Sequence, residues 1–218
     1  MPATESAMGT PGMGPDSSSG GPGGKMMSGW ASPSILGLLV FGLMTMLLGL
    51  YSLPKPYGTG FGLDLGGLTI AAYAVAGLLL IIGVITLAQN HLYWGTAFLG
   101  YAAFWGSWGY MFHHVLAPGT LASGYGVAGI MFIWLLFTLT YLISSIRHGW
   151  GTVFAFLLLF VGFILLTLLY WQLGAHSTIA TSEHWVIGGE LILTGLVWWY
   201  GGTAGLTNHT FGKKVLPT

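Results

Sequence analysis

The chain has 218 residues, 54 % of them apolar and only 5 % charged, and its mean hydropathy is +0.78; a soluble domain carries about 25 % charged residues, so this composition belongs in a bilayer. The absence of cysteine excludes disulfides, thiolate metal sites and cysteine nucleophiles. Five Lys/Arg balance five Asp/Glu, which leaves no basic footprint for nucleic acid.

Residues 1–30 are rich in Gly, Pro, Ser and Met, show no periodicity and read as a disordered cytoplasmic tail with no signal-peptide apolar core. The polar tail turns into an apolar helix at Ser32-Pro33-Ser34-Ile35-Leu36-Gly37-Leu38. There Ser32 is placed to cap free N–H groups, and Pro33 sits where its missing N–H costs nothing. Six apolar segments follow, at about 34–53, 67–88, 92–116, 122–146, 150–173 and 181–206. Each is long enough to cross about 30 Å of hydrocarbon at 1.5 Å per residue. The expected class is therefore an all-α, multi-pass membrane protein with six transmembrane helices in residues 31–210, ending in a short cytoplasmic tail, 211–218. The Gly-rich sixth segment is the one that irregular backbone would break.

Lys25, Arg147, Lys213 and Lys214 fall on the side of the two termini and Lys55 on the other. The positive-inside rule then places both termini in the cytoplasm of a cell-membrane protein. In the third segment Trp94, Phe98, Tyr101, Trp105, Trp108 and Phe112 recur at helical spacing as one aromatic stripe. Gly95, Leu99, Ala102, Gly106, Gly109 and His113 form a mostly small one beside it, suited to close helix contact. Packing is the plainer reading of the aromatic stripe and a pore lining the sharper one. Trp30, Tyr93, Trp150, Trp171 and Trp185 read as interfacial anchors.

Glu190 is the one carboxylate well inside a predicted span. An ionisable group there must face protein or water, which makes it a proton-carrying candidate as well as a candidate helix bridge. His113 and His114, with His176, His184 and Glu183, map to the outer side, where an imidazole titrates in the physiological range. Adjacent His113 and His114 point about 100° apart on a helix, a poor start for a metal site. No G-x-S-x-G, H-E-x-x-H or P-loop pattern occurs, so an intramembrane enzyme has little support.

Three stretches carry a resemblance. The Ser32–Leu38 segment followed by Phe41-Gly42 resembles the N-P-A-P-L-G-L opening of the acetate uptake transporter family, the acetate/succinate transporters. Phe98-Leu99-Gly100-Tyr101-Ala102-Ala103-Phe104-Trp105 resembles that family's third-helix S-Y-G-S-F-W segment. Phe211-Gly212-Lys213-Lys214-Val215-Leu216-Pro217 resembles its F-G-(K/R)-x-V-L-P ending. The chain departs from the family pattern at Ser32, for Asn, at Ile35, for the second Pro, and at Trp198, where a small residue usually stands two before the Tyr of the sixth helix, here Tyr200.

The resemblance implies a homo-hexamer of six-helix protomers, each with its own carboxylate path, no cofactor, and an apolar constriction made here by Phe41, Tyr101 and Leu159. Those three lie about seven, nine and nine residues into helices that run the same way, so they reach one level roughly 10–14 Å deep. Ser32, Ser34, Gly37, Trp198 and Tyr200 are the expected substrate-path residues, and Glu190, His113 and His114 the candidates for proton or pH dependence. The expected partners are acetate or other small carboxylates, succinate among them, and membrane lipid. Two other readings stay open: a channel for small neutral solutes such as urea, amides or ammonia, and a membrane acid or pH sensor.

Overall fold

The computed structural model describes residues 32–54, 64–114, 124–176 and 180–217. The tail expected at 1–30 lies outside these. The described residues form six helices: α1 (Ser34–Ser52), α2 (Leu65–Ala88), α3 (Leu92–His114), α4 (Gly124–Ser145), α5 (Trp150–His176) and α6 (Thr181–Phe211). Four of them, α1, α2, α4 and α5, are long and apolar enough to cross a membrane. The other two match them in length, but α3 is diluted by Gly, Ser and aromatic residues, and α6 by Glu183, His184, Glu190 and six glycines. Those glycines do not break α6, which runs unbroken for 31 residues.

Local signals set most of the helix ends. Pro33 is already helical (φ −70°, ψ −11°), and its carbonyl accepts from the Gly37 N–H at 3.1 Å. The expected Ser32 cap does not form: Pro33, which has no side-chain acceptor, occupies the cap position, and the Ser32 hydroxyl donates to the Ser34 hydroxyl (3.1 Å). Asp64 caps α2, its Oδ1 accepting from Gly67 N at 2.6 Å. Asn90 (φ 65°) makes the tight α2–α3 turn in the left-handed region that Asn tolerates. Glu183 reaches back to accept from the Ala180 N–H (3.1 Å) at the start of α6 and also from Gln172 Nε2 of α5 (3.0 Å).

Successive helices run antiparallel, and the closest pairings are α1 with α6, α2 with α3, and α4 with α5. Glycine sets each of them. A Cβ on Gly49 would lie 2.7 Å from the Ile192 N of α6, and one on Gly195 2.6 Å from the Gly42 carbonyl of α1. Gly83 and Gly95 seat Leu99 and Leu87 between α2 and α3, and Gly174 meets Tyr125 between α5 and α4. Such close backbone approach is how helices associate where apolar burial against lipid offers no preference.

The aromatic stripe of α3 lies in the core: Phe98, Tyr101, Trp105, Trp108 and Phe112 are each at most 3 % exposed. The small stripe packs on α2, where Gly109 sits against Tyr73 and Gly95 against Leu87. Trp150, Trp171 and Trp185, by contrast, lie at helix ends with much of their surface exposed.

Candidate functional site

Two cavities open at opposite ends of the bundle. At the proximal end, where α1 begins and α6 ends, Leu38, Trp94, Ala155, Trp198, Tyr200 and Pro217 are among the walls of a cavity of about 390 Å³. At the distal end a cavity of about 630 Å³ is walled by Tyr51, Ser52, Trp108, Tyr170, Thr181 and His184 among others. Between them Thr45, Phe104, Trp105, Leu159 and Gly162 surround a void of about 10 Å³, room for one water-sized sphere. Among the described residues, no Asp, Glu, Lys or Arg lines any of the three.

The barrier separating the cavities is aromatic. Phe41 of α1 packs against Tyr101 of α3 with ring centroids 4.9 Å apart, against Trp198 of α6 at 5.2 Å and against Trp105 at 6.3 Å. Phe156 of α5 meets the other side of Trp198 edge-on (4.8 Å, 90°), an arrangement favoured by the ring quadrupoles. Phe41, Tyr101, Leu159 and Trp198 are all buried. Leu159 lines the central void from α5 beside Trp105, together with Thr45 and Leu48 of α1. The Tyr101 hydroxyl pairs with Thr138 Oγ1 of α4 at 3.0 Å.

The other expected residues are dispersed. Trp198 and Tyr200 line the proximal cavity, whereas Ser32 and Ser34 lie at the start of α1 bonded to each other. Gly37 is buried beneath the Phe98 ring, 2.5 Å from where its Cβ would sit, so it serves close packing and not the cavity wall. His114, exposed in the last turn of α3, packs on the Tyr110 ring at 4.3 Å, and His113 precedes it in that turn. The histidine at the distal cavity is His184, whose Nδ1 lies 3.1 Å from the Ser52 carbonyl and ties α6 to the end of α1.

Glu190 faces α5. Its Oε1 accepts from the Thr194 hydroxyl at 2.6 Å, and its buried Oε2 has no partner among the described residues. That oxygen lies 2.7 Å from where a Gly162 Cβ would stand, and Gly162 lines the central void. The indole N–H groups of Trp105, Trp108 and Trp198 are likewise buried without an acceptor. Sequence reasoning placed Trp105 and Trp108 on the right stripe but left them out of the site. Thr138 and His184 lacked any spacing signal that would have paired them with Tyr101 and Ser52.

The family model for the GPR1/FUN34/yaaH family matches residues 24–217. The chain belongs to this family. A relative in Methanothermobacter thermautotrophicus, described as an uncharacterized protein, is 30 % identical over 199 residues, covering 86 % of this chain and 91 % of its own. Among solved structures, that of the bacterial acetate channel SatP superposes with a TM-score of 0.72 at 23 % identity, covering 86 % of this chain and 98 % of SatP, and so shares the fold. As a GPR1/FUN34/yaaH family member with several membrane-length apolar helices, the chain is a multi-pass membrane protein.

Proposed function

We propose that the chain conducts acetate and related small monocarboxylates, and by extension succinate, across the cell membrane, in the acid form or together with a proton. The observation that carries this reading is the packed aromatic barrier of Phe41, Tyr101 and Trp198 between two cavities at opposite ends. The family and the likeness to an acetate channel support it. In this reading all six helices span the bilayer and the proximal end faces the cytoplasm. The role is transport, not catalysis.

Dehydrating a carboxylate in such a barrier costs several kcal/mol even after relaxation. For an acid with a pKa a little above 4, protonation costs about 3.5 kcal/mol at pH 7 and about 1 kcal/mol at pH 5, so the neutral form is the cheaper species to pass. Phe41, Tyr101 and Leu159 size the path. A hydroxyl has one donor and two acceptor positions, so Tyr101 keeps one free for the passing carboxyl group while bonded to Thr138. Tyr200, with Ser32 and Ser34, receives the acid at the proximal mouth. His184 does so at the distal one, with His113 and His114 farther out. Glu190, beside the central void with one oxygen unpartnered, takes and returns the proton.

The test is labelled-acetate uptake into proteoliposomes across pH at fixed total acetate. Flux should rise on acidification and change in Phe41→Ala and Tyr101→Ala, and Glu190→Gln should flatten the pH profile without loss of folded protein. A pH-independent flux untouched by the Phe41 and Tyr101 changes would refute the mechanism. Equal passage of urea would favour a neutral-solute channel, and acetate binding without flux a sensor.

A further inference from the structure

Residues 212–217 turn back along α6. Gly212, at φ 61°, takes the left-handed conformation that ends the helix and reverses the chain. Asn208 in the last turn then grips the returning backbone: Val215 N–H and Leu216 N–H donate to its Oδ1 at 2.7 and 2.8 Å, and its Nδ2 donates to the Leu216 carbonyl at 2.8 Å. About 12 Å deeper along the helix axis, the Tyr200 hydroxyl donates to the Pro217 carbonyl at 2.9 Å. Four side-chain bonds therefore hold three consecutive residues. Pro217 is itself a wall of the proximal cavity, alongside Leu38, Trp198 and Tyr200.

We propose that Val215–Pro217 is a built wall of the proximal mouth, positioned by Asn208 and Tyr200, that limits what enters the proximal cavity. The segment expected from sequence to be a cytoplasmic tail is in this view part of the path. Asn208 acts through the segment: its amide offers an acceptor and a donor together, and these match the two N–H groups and one carbonyl of the reversed chain. Tyr200 fixes the far end, so the segment stays over the cavity and does not swing away from it. This proposal rests on the reading of the cavity as a stage of the path, but the wall can be tested without transport.

The chain has no cysteine, so one introduced thiol reports access cleanly. Ala155 lines the proximal cavity and is 5 % exposed, and Thr181 lines the distal one. The experiment measures the rate at which a charged methanethiosulfonate reagent modifies Ala155→Cys and Thr181→Cys in the full chain, alone and combined with Asn208→Ala or Tyr200→Phe. Asn208→Ala is expected to speed modification of Ala155→Cys at least tenfold and Tyr200→Phe severalfold, with Thr181→Cys unchanged within twofold. In proteoliposomes Asn208→Ala should also raise butyrate flux relative to acetate. An unchanged rate at Ala155→Cys, both in Asn208→Ala and after deletion of residues 213–218, would overturn the proposal. Equal acceleration at both sites would also overturn it, because Asn208 would then support the whole fold. Selective acceleration in a protein that moves no acetate would leave the wall standing and remove the transport reading instead.

Discussion

At the scale of single residues, Trp198 has the widest consequences. It stands between Phe41 and Phe156, and its ring divides the proximal cavity from the centre of the barrier. In the acetate uptake transporter pattern a small residue usually occupies this place, so in the proposed reading the large indole narrows the path from the proximal side. Trp198→Ala should join the proximal cavity to the Phe41 ring and raise butyrate flux relative to acetate at least threefold, measured with a panel of labelled acids in proteoliposomes. An unchanged ratio would leave Trp198 with a packing role alone. Glu190 illustrates how far sequence reasoning reaches at this scale: its position inside a span marked it as unusual and Thr194 stands one helical turn on in α6, but the facing Gly162 depends on how α5 meets α6.

At the scale of helices, the glycines divide into two kinds that the sequence does not tell apart. Gly42, Gly49, Gly188 and Gly195 lie where α1 and α6 touch backbone to backbone, whereas a Cβ on Gly77 or Gly129 would meet no atom within 4 Å. Gly49→Leu should therefore push α1 from α6 and destabilise the bundle by roughly 1–3 kcal/mol or more, the usual cost of overpacking. Gly77→Leu and Gly129→Leu should leave stability unchanged. Unfolding midpoints in mixed detergent would check this, and equal tolerance at all three sites would contradict the pairing. Because the Phe41 ring reaches Tyr101 only while α1 stays in its groove, loss of the α1–α6 contact should also damage the barrier.

At the scale of the whole molecule, an apolar surface remains outside the bundle. Ile70, Leu80, Ile81 and Val84 of α2, and Ile130, Ile133 and Ile143 of α4, are exposed to what surrounds it. Lipid and neighbouring copies are the two covers for such a surface in a bilayer. The resemblance to the acetate uptake transporters motivates the expectation of a hexamer, so native mass spectrometry from mild detergent should find six copies of the 23.1 kDa chain. A purely monomeric species that still conducts acetate would show that each bundle holds a complete path without partners.

The sequence by itself determined that this is a helical membrane protein. Six helical runs were legible to within a few residues of α1–α6, four of them apolar enough to cross a membrane, as were the motifs at Ser32–Leu38, Phe98–Trp105 and Phe211–Pro217. Each of these signals is local: chain length against bilayer thickness, a proline at a helix start, a glycine at a helix end. Only the tertiary structure decided which faces meet. A helix apolar all round has no polar side to mark its outside, so its orientation comes from shape, glycine against side chain. The same reason explains why the pairing of Tyr101 with Thr138, the burial of Gly37 beneath Phe98 and the return of Pro217 to Tyr200 were not readable along the chain. Each joins residues whose nearness depends on packing, with no fixed spacing in sequence.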